Sequence, residues 1–152
     1  MRVVEVRRRI DAPPEVVWEV LVDFESYPEW NPFIESIEGV PLPGQRLRVR
    51  LTPPGGRRVT VRPTVTAAEE NRRLEWEGSL FVPGLFDGRH EFRIEREGEG
   101  VRFVHREIFS GIFVHVLLDE GSIRRGFEAM NAALAKRAER LADPNERESP
   151  QR

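Results

Sequence analysis

One stretch restricts the fold more than any other. From Val114 to Ala142, apolar residues recur at Val116, Ile123, Phe127, Met130, Leu134, Ala138 and Leu141. Spacings of three, four and seven mark one face of an α-helix. The opposite face is charged, with Arg124, Arg125, Glu128, Lys136, Arg137, Glu139 and Arg140. A long helix with one apolar stripe needs a broad apolar surface to lie on. Most of the preceding chain reads as alternating strands that can supply it.

Val3 to Ile10 alternates charge with valine and reads as a strand buried on one face. Asp11-Ala12-Pro13-Pro14-Glu15 ends it and starts a short helix, since proline and an acid both suit a first helical turn. Val16, Val17, Val20, Leu21 and Phe24 form that helix's apolar face, with Trp18 beside it. Pro28 and Pro32 break the next segment. Its aromatics Tyr27, Trp30 and Phe33 pin the broken segment into the core, wall the mouth of a pocket, or do both.

Further strands are expected over Ile34–Glu38, Arg46–Leu51, Arg57–Ala67 and Arg72–Leu80. Pro63 falls inside one of them, which predicts an edge position or a bulge. Leu74, Trp76, Gly78 and Leu80 share the inward face of the last. The apolar run Phe81-Val82-Pro83-Gly84-Leu85-Phe86 follows; it must cover the core or form the lip of a cavity. Gly88–Glu97 and Val101–Phe109 flank Gly98-Glu99, a two-residue hairpin turn. That turn pairs Ile94 with Phe103, Phe92 with His105, and His90 with Glu107. His90 and Glu107 then stand about 5 Å apart at Cβ on the apolar face. Gly126, inside the long helix, predicts close approach to the sheet or to a ligand.

The order of elements is strand, short helices, six strands, long helix. The lack of βαβ alternation argues against a parallel doubly wound sheet. The expected architecture is α+β: a curved antiparallel sheet of about seven strands around the C-terminal helix, with two short helices after the first strand. Residues 1–142 form one domain, and the polar stretch 143–152 reads as a disordered tail.

Composition narrows the function. The net charge of −2 supplies no global basic field for nucleic acid or an anionic membrane, and the arginine pairs are scattered. The absence of cysteine excludes disulfides and thiolate chemistry. No apolar run approaches the ~20 residues of a membrane span. Nothing at the N-terminus resembles a signal peptide, so a cytoplasmic location is expected. No Gly-rich phosphate loop, Gly-x-Ser-x-Gly elbow or His-Glu-x-x-His is present, and neither cofactor nor metal is expected.

A curled sheet over one helix leaves a gap where the two diverge, and a small hydrophobic molecule fits there. The candidate lining is Trp30, Phe33, Trp76, Leu80, Phe86, His90, Phe92, Phe103, His105, Glu107, Phe109, Ile123, Phe127 and Met130. Asp119 and Glu120 either face the pocket mouth or complement the helix dipole. A buried His–Glu set from His90, His105 and Glu107 suits acid–base work on an enolisable ketone. The same residues equally suit polar contacts to a ligand, or simple structural pairing.

Ala12-Pro13-Pro14-Glu15-Val16-Val17-Trp18, then Asp23 with Tyr27-Pro28-Glu29-Trp30-Asn31-Pro32-Phe33, then His105-Arg106-Glu107 before Phe109-Ser110-Gly111, carry a resemblance. The chain resembles the START-like (SRPBCC) helix-grip superfamily, in particular its polyketide cyclase/dehydrase and lipid-transport-like branch. The likeness runs from about Val3 to Leu141 and includes the final helix. It implies a lipid, polyketide or other aromatic ligand. Three functions follow: a carrier or sensor, a cyclase or dehydratase using His90, His105 and Glu107, or a protein-interaction module using Trp30, Phe33, Phe81 and Phe86.

Overall fold

The computed structural model describes residues 1–147. Among the described residues, eight strands form two antiparallel sheets. β1 (Arg2–Ile10), β8 (Gly100–Ser110), β7 (Asp87–Glu97), β6 (Arg73–Ser79) and β5 (Thr64–Glu69) lie side by side in that order. β2 (Ile34–Glu38), β3 (Arg48–Leu51) and β4 (Val59–Val61) make the smaller sheet.

The expected strand 57–67 is thus two strands, which raises the count to eight. The break falls at Pro63, which has no N–H to give to a ladder. Pro63 instead accepts from Leu47 N (2.8 Å), and Val65 N donates to Gln45 O (2.9 Å). These bonds carry the pairing round a corner from one sheet to the other. β4 and β5 each end their sheet in the strand order, so Pro63 sits between two edge strands, at the corner that joins them.

The β7–β8 hairpin has the expected register, with Ile94 opposite Phe103, Phe92 opposite His105 and His90 opposite Glu107. Gly98 opens its turn at φ +63°, a conformation that favours glycine.

After β1, α1 (Pro14–Val22) buries Val16, Val17, Val20 and Leu21. A 3₁₀ turn (Phe24–Ser26) and α2 (Tyr27–Trp30) follow. Two side chains hold this broken segment. The Tyr27 hydroxyl donates to Leu21 O at 2.6 Å, and burial pushes its pKa far up. The Asn31 carbonyl oxygen accepts from Phe33 N (2.9 Å) and Ile34 N (2.8 Å), so it launches β2. Tyr27 and Asn31 therefore have architectural roles.

The long helix does not run unbroken from Val114. α3 (Val114–Leu117) is one turn, and α4 (Glu120–Ala142) begins after Leu118-Asp119. Asp119 is the N-cap of α4 and accepts from Ser122 N at 3.1 Å. Val116 consequently leaves the apolar stripe and is exposed. Phe127, Met130, Leu134 and Ala138 pack solidly on the large sheet. A Cβ on Gly126 would lie 2.5 Å from the Phe33 ring, so the close approach there is to Phe33. Residues Pro144–Arg147 form a further helical turn, α5, where a disordered tail was expected. The rest of that tail, 148–152, lies outside the described residues.

Candidate functional site

The first turn of α4 lines open space through Ser122 and Ile123. Beside it lies a cavity of ≈ 330 Å³, where the two sheets and the helix part company. Its apolar walls include Phe33, Leu51, Val59, Val61, Trp76 and Phe109. Its mouth is rimmed by the β3–β4 turn (Pro53 to Arg57), by Leu80 and Phe86 of the β6–β7 loop, and by Leu117 and Leu118. The Ser122 hydroxyl donates to Pro54 O at 2.7 Å and fastens the β3–β4 turn to α4.

Two glycines shape the wall. Gly78 and Gly88 stand opposite each other on β6 and β7, and both line the cavity. A side chain on Gly88 would run into the Glu107 carboxylate; one on Gly78 would meet Pro63 at 3.0 Å. Glycine at 88 thus keeps the carboxylate where it is.

The wall's buried polar corner is a line of four side chains. Glu107 Oε1 stands 3.0 Å from His90 Nδ1. His90 Nε2 stands 2.7 Å from His105 Nε2. His105 Nδ1 stands 2.8 Å from Asn131 Oδ1. Aromatic rings clamp the imidazoles. Trp76 stacks on His90 with centroids 5.2 Å apart, and Phe127 stacks on His105 at 3.8 Å.

The proton positions follow from hydrogen-bonding capacity. The Asn131 carbonyl only accepts, so His105 carries its proton on Nδ1. Burial, reinforced by the charge of His90 and opposed by the Asn131 hydrogen bond, holds the His105 pKa well below 6.5. His105 is therefore neutral, and its Nε2 accepts. His90 must then donate through Nε2–H. His90 Nδ1 faces Glu107 Oε1 as a hydrogen-bonded pair across 3.0 Å. His105 and Asn131 orient the pair, and Glu107 presents it to the cavity.

Eight of the residues expected to line a pocket do so: Phe33, Trp76, Leu80, Phe86, His90, Glu107, Phe109 and Ile123. Six do not. Phe92, Phe103, Phe127 and Met130 are wholly buried in the core. His105 is also fully buried and reaches the cavity only through His90. Trp30 packs edge-on against Tyr27 at 5.0 Å, away from the cavity. Sequence reasoning missed Asn131, although a polar residue between Met130 and Leu134 on the apolar stripe marks it. It also missed the β3–β4 turn as part of the mouth. Asp119 combines the two roles weighed for it: it caps α4 and lines the cavity. Of the aromatics considered for protein interaction, Phe81 is exposed, Phe33 is buried, and Trp30 and Phe86 are half-buried.

No curated protein matches the chain. Solved structures do. TTHA0849 from Thermus thermophilus superimposes with a TM-score of 0.73 at 25% identity, over 93% of this chain and 100% of the other. The Zhui aromatase/cyclase from Streptomyces sp. R1128 gives 0.70 at 22% identity, over 95% and 97%. The di-domain aromatase/cyclase StfQ of the steffimycin biosynthetic pathway gives 0.66 at 15%, over 92% of this chain and 50% of that one. The last two likenesses speak for the fold alone. A family model described as polyketide cyclase/dehydrase and lipid transport matches residues 1–142, which include every strand and α1 to α4. With a helix-grip fold, an apolar cavity beside the long helix and that match over nearly its whole length, the chain belongs to the polyketide cyclase/dehydrase and lipid-transport family.

Proposed function

We propose that the protein binds a small, mostly apolar molecule bearing one polar group, and seats that group on Glu107 and His90. The observation that carries this reading is the 3.0 Å contact between Glu107 and His90 in the wall of a mostly apolar cavity. At interior packing density, a cavity of ≈ 330 Å³ holds roughly 250 Å³ of ligand, the size of a few fused rings or a medium acyl chain. The Glu107–His90 pair distinguishes a ligand that carries a hydroxyl or carbonyl from a wholly apolar one. A purely apolar cavity could not make that distinction.

Titration with the neutral fluorophore N-phenyl-1-naphthylamine tests the reading. Bright, saturable binding is expected, abolished by Val61→Trp, which fills the cavity. Glu107→Gln should keep the probe's affinity but weaken competition by hydroxylated aromatics. Probe binding that survives Val61→Trp in a folded protein refutes the reading.

A second reading has its own support. His105 and Asn131 fix the tautomer of His90, as an acid–base pair requires. In that reading Glu107 removes a proton alpha to a bound ketone, and the His90–Glu107 pair returns it to a leaving hydroxyl as water departs. Turnover of a poly-β-ketone mimic, lost in Glu107→Gln with binding retained, supports it. Tight binding with no turnover rejects it.

A further inference from the structure

Large apolar side chains are exposed in one place above all. Phe81 (52% exposed) and Val82 (61%) crown the β6–β7 loop, and Ile112 (70%), Phe113, Val116 (80%) and Leu117 crown the β8–α4 connection. The two segments are one surface. Ile112 N donates to Gly84 O, Phe113 N donates to Leu85 O, and the Phe81 and Phe113 rings meet edge-to-face at 6.2 Å. This surface adjoins the cavity mouth, because Leu80, Phe86 and Leu117 from the same segments line the cavity. An apolar patch this concentrated marks something that covers it.

The charges beside it select the occupant. Among the described acids near the rim, Glu120 is offset by a cation, whereas Asp87 and Asp119 accept from neutral donors and keep their charge. Asp87 accepts from the Ser79 hydroxyl and Gly84 N, Asp119 accepts from Ser122 N, and Glu120 pairs with Arg2. Arg57 lines the mouth, is exposed, and has no ionic partner among the described residues. It begins a basic surface. Residues 46–66 contain six arginines and no acid, and their facing strand β2 answers with only Glu35 and Glu38. An apolar rim edged, on the β3–β4 side, by guanidinium groups in excess of their partners matches the interface of an anionic bilayer.

We propose that the protein docks its cavity mouth on an anionic phospholipid membrane. Phe81, Val82, Phe113 and Val116 enter the headgroup–acyl boundary, and Arg57 and its neighbours contact phosphate. No helix among the described residues is long and apolar enough to cross a membrane, so the contact is peripheral. Its purpose rests on the cavity reading above: an apolar ligand passes from bilayer to cavity without entering water. Its test does not rest on that reading.

The chain has no cysteine, so a single Val82→Cys accepts one environment-sensitive nitrobenzoxadiazole label. With vesicles of phosphatidylcholine and phosphatidylglycerol, the label should brighten and shift to the blue. A label at Leu42→Cys, exposed in the β2–β3 connection, should not respond. Phe113→Ser with Val116→Ser should weaken vesicle binding about tenfold or more. Arg57→Ser should weaken it only when phosphatidylglycerol is present. A silent Val82 label with both vesicle types overturns the proposal. So does a Val82 response that rises with protein concentration in the absence of lipid, since the rim would then be covered by a second copy. Titration with N-phenyl-1-naphthylamine in lipid-free buffer separates the two readings. A silent Val82 label with probe bound sinks the docking alone. A responding label with no probe binding sinks the cavity reading and leaves the docking standing.

Discussion

His105 makes acid destabilise this fold in a calculable way. Its native pKa is held well below 6.5, chiefly by burial, whereas the unfolded imidazole titrates near 6.5. As pH falls through 6.5 the unfolded chain takes up a proton that the native one refuses, so stability falls with pH. The contribution is fully present above 6.5 and is lost on acidification. Between about pH 7.5 and 5.5 this one residue removes about 1.4 kcal/mol. With a urea m-value of about 2 kcal/mol/M, the unfolding midpoint should drop by roughly 0.7 M. Urea titrations at the two pH values measure it. His105→Gln lowers the midpoint at both, because Asn131 and His90 lose a partner, but it should remove the pH-dependent part. The exposed His115→Gln should leave the drop intact. A wild-type midpoint that does not move, or a drop that persists in His105→Gln, refutes the reasoning.

Gly126→Ala gains about 1 kcal/mol of helix propensity but drives a methyl into the Phe33 ring, at a cost of ~1–3 kcal/mol. Net destabilisation is expected by thermal unfolding, with weaker N-phenyl-1-naphthylamine binding as Phe33 yields toward the cavity. Tyr27→Phe removes the bond to Leu21 O and should cost about 1 kcal/mol in chemical unfolding with little effect on probe affinity. Ser122→Ala frees the β3–β4 turn from α4; stopped-flow mixing should show faster probe entry and exit at nearly unchanged stability.

The hairpin register was legible because Gly98-Glu99 leaves only one way to count the pairs outward. The His90–Glu107 juxtaposition followed from that count. What periodicity could not reveal is whether an inward face meets packing or space. Phe92, Phe103, Phe127 and Met130 share the inward faces with Trp76 and Phe109, yet they lie where helix and sheet are closest. The difference is one of position along the helix axis, and a period of 2 or 3.6 carries no information about it. The break before α4 was written in Asp119, an N-cap with its partner Ser122 three residues on, but the apolar run from Val114 to Leu118 hid it. Pro63 announced an irregularity; that the chain turns there from one sheet to another depends on the distant residues 44–47.

The bend at Pro63 also says how this architecture can change its tenant. The five-strand layer carries the proton line and most of the solid packing, while Leu51, Val59 and Val61 of the smaller layer form a removable wall. A two-residue insertion or deletion beside the bend would keep the same side chains facing inward, because strands repeat every second residue, yet would move that wall by about 6–7 Å. Interior size can therefore drift by small, in-register steps, with the Glu107–His90 pair left in place.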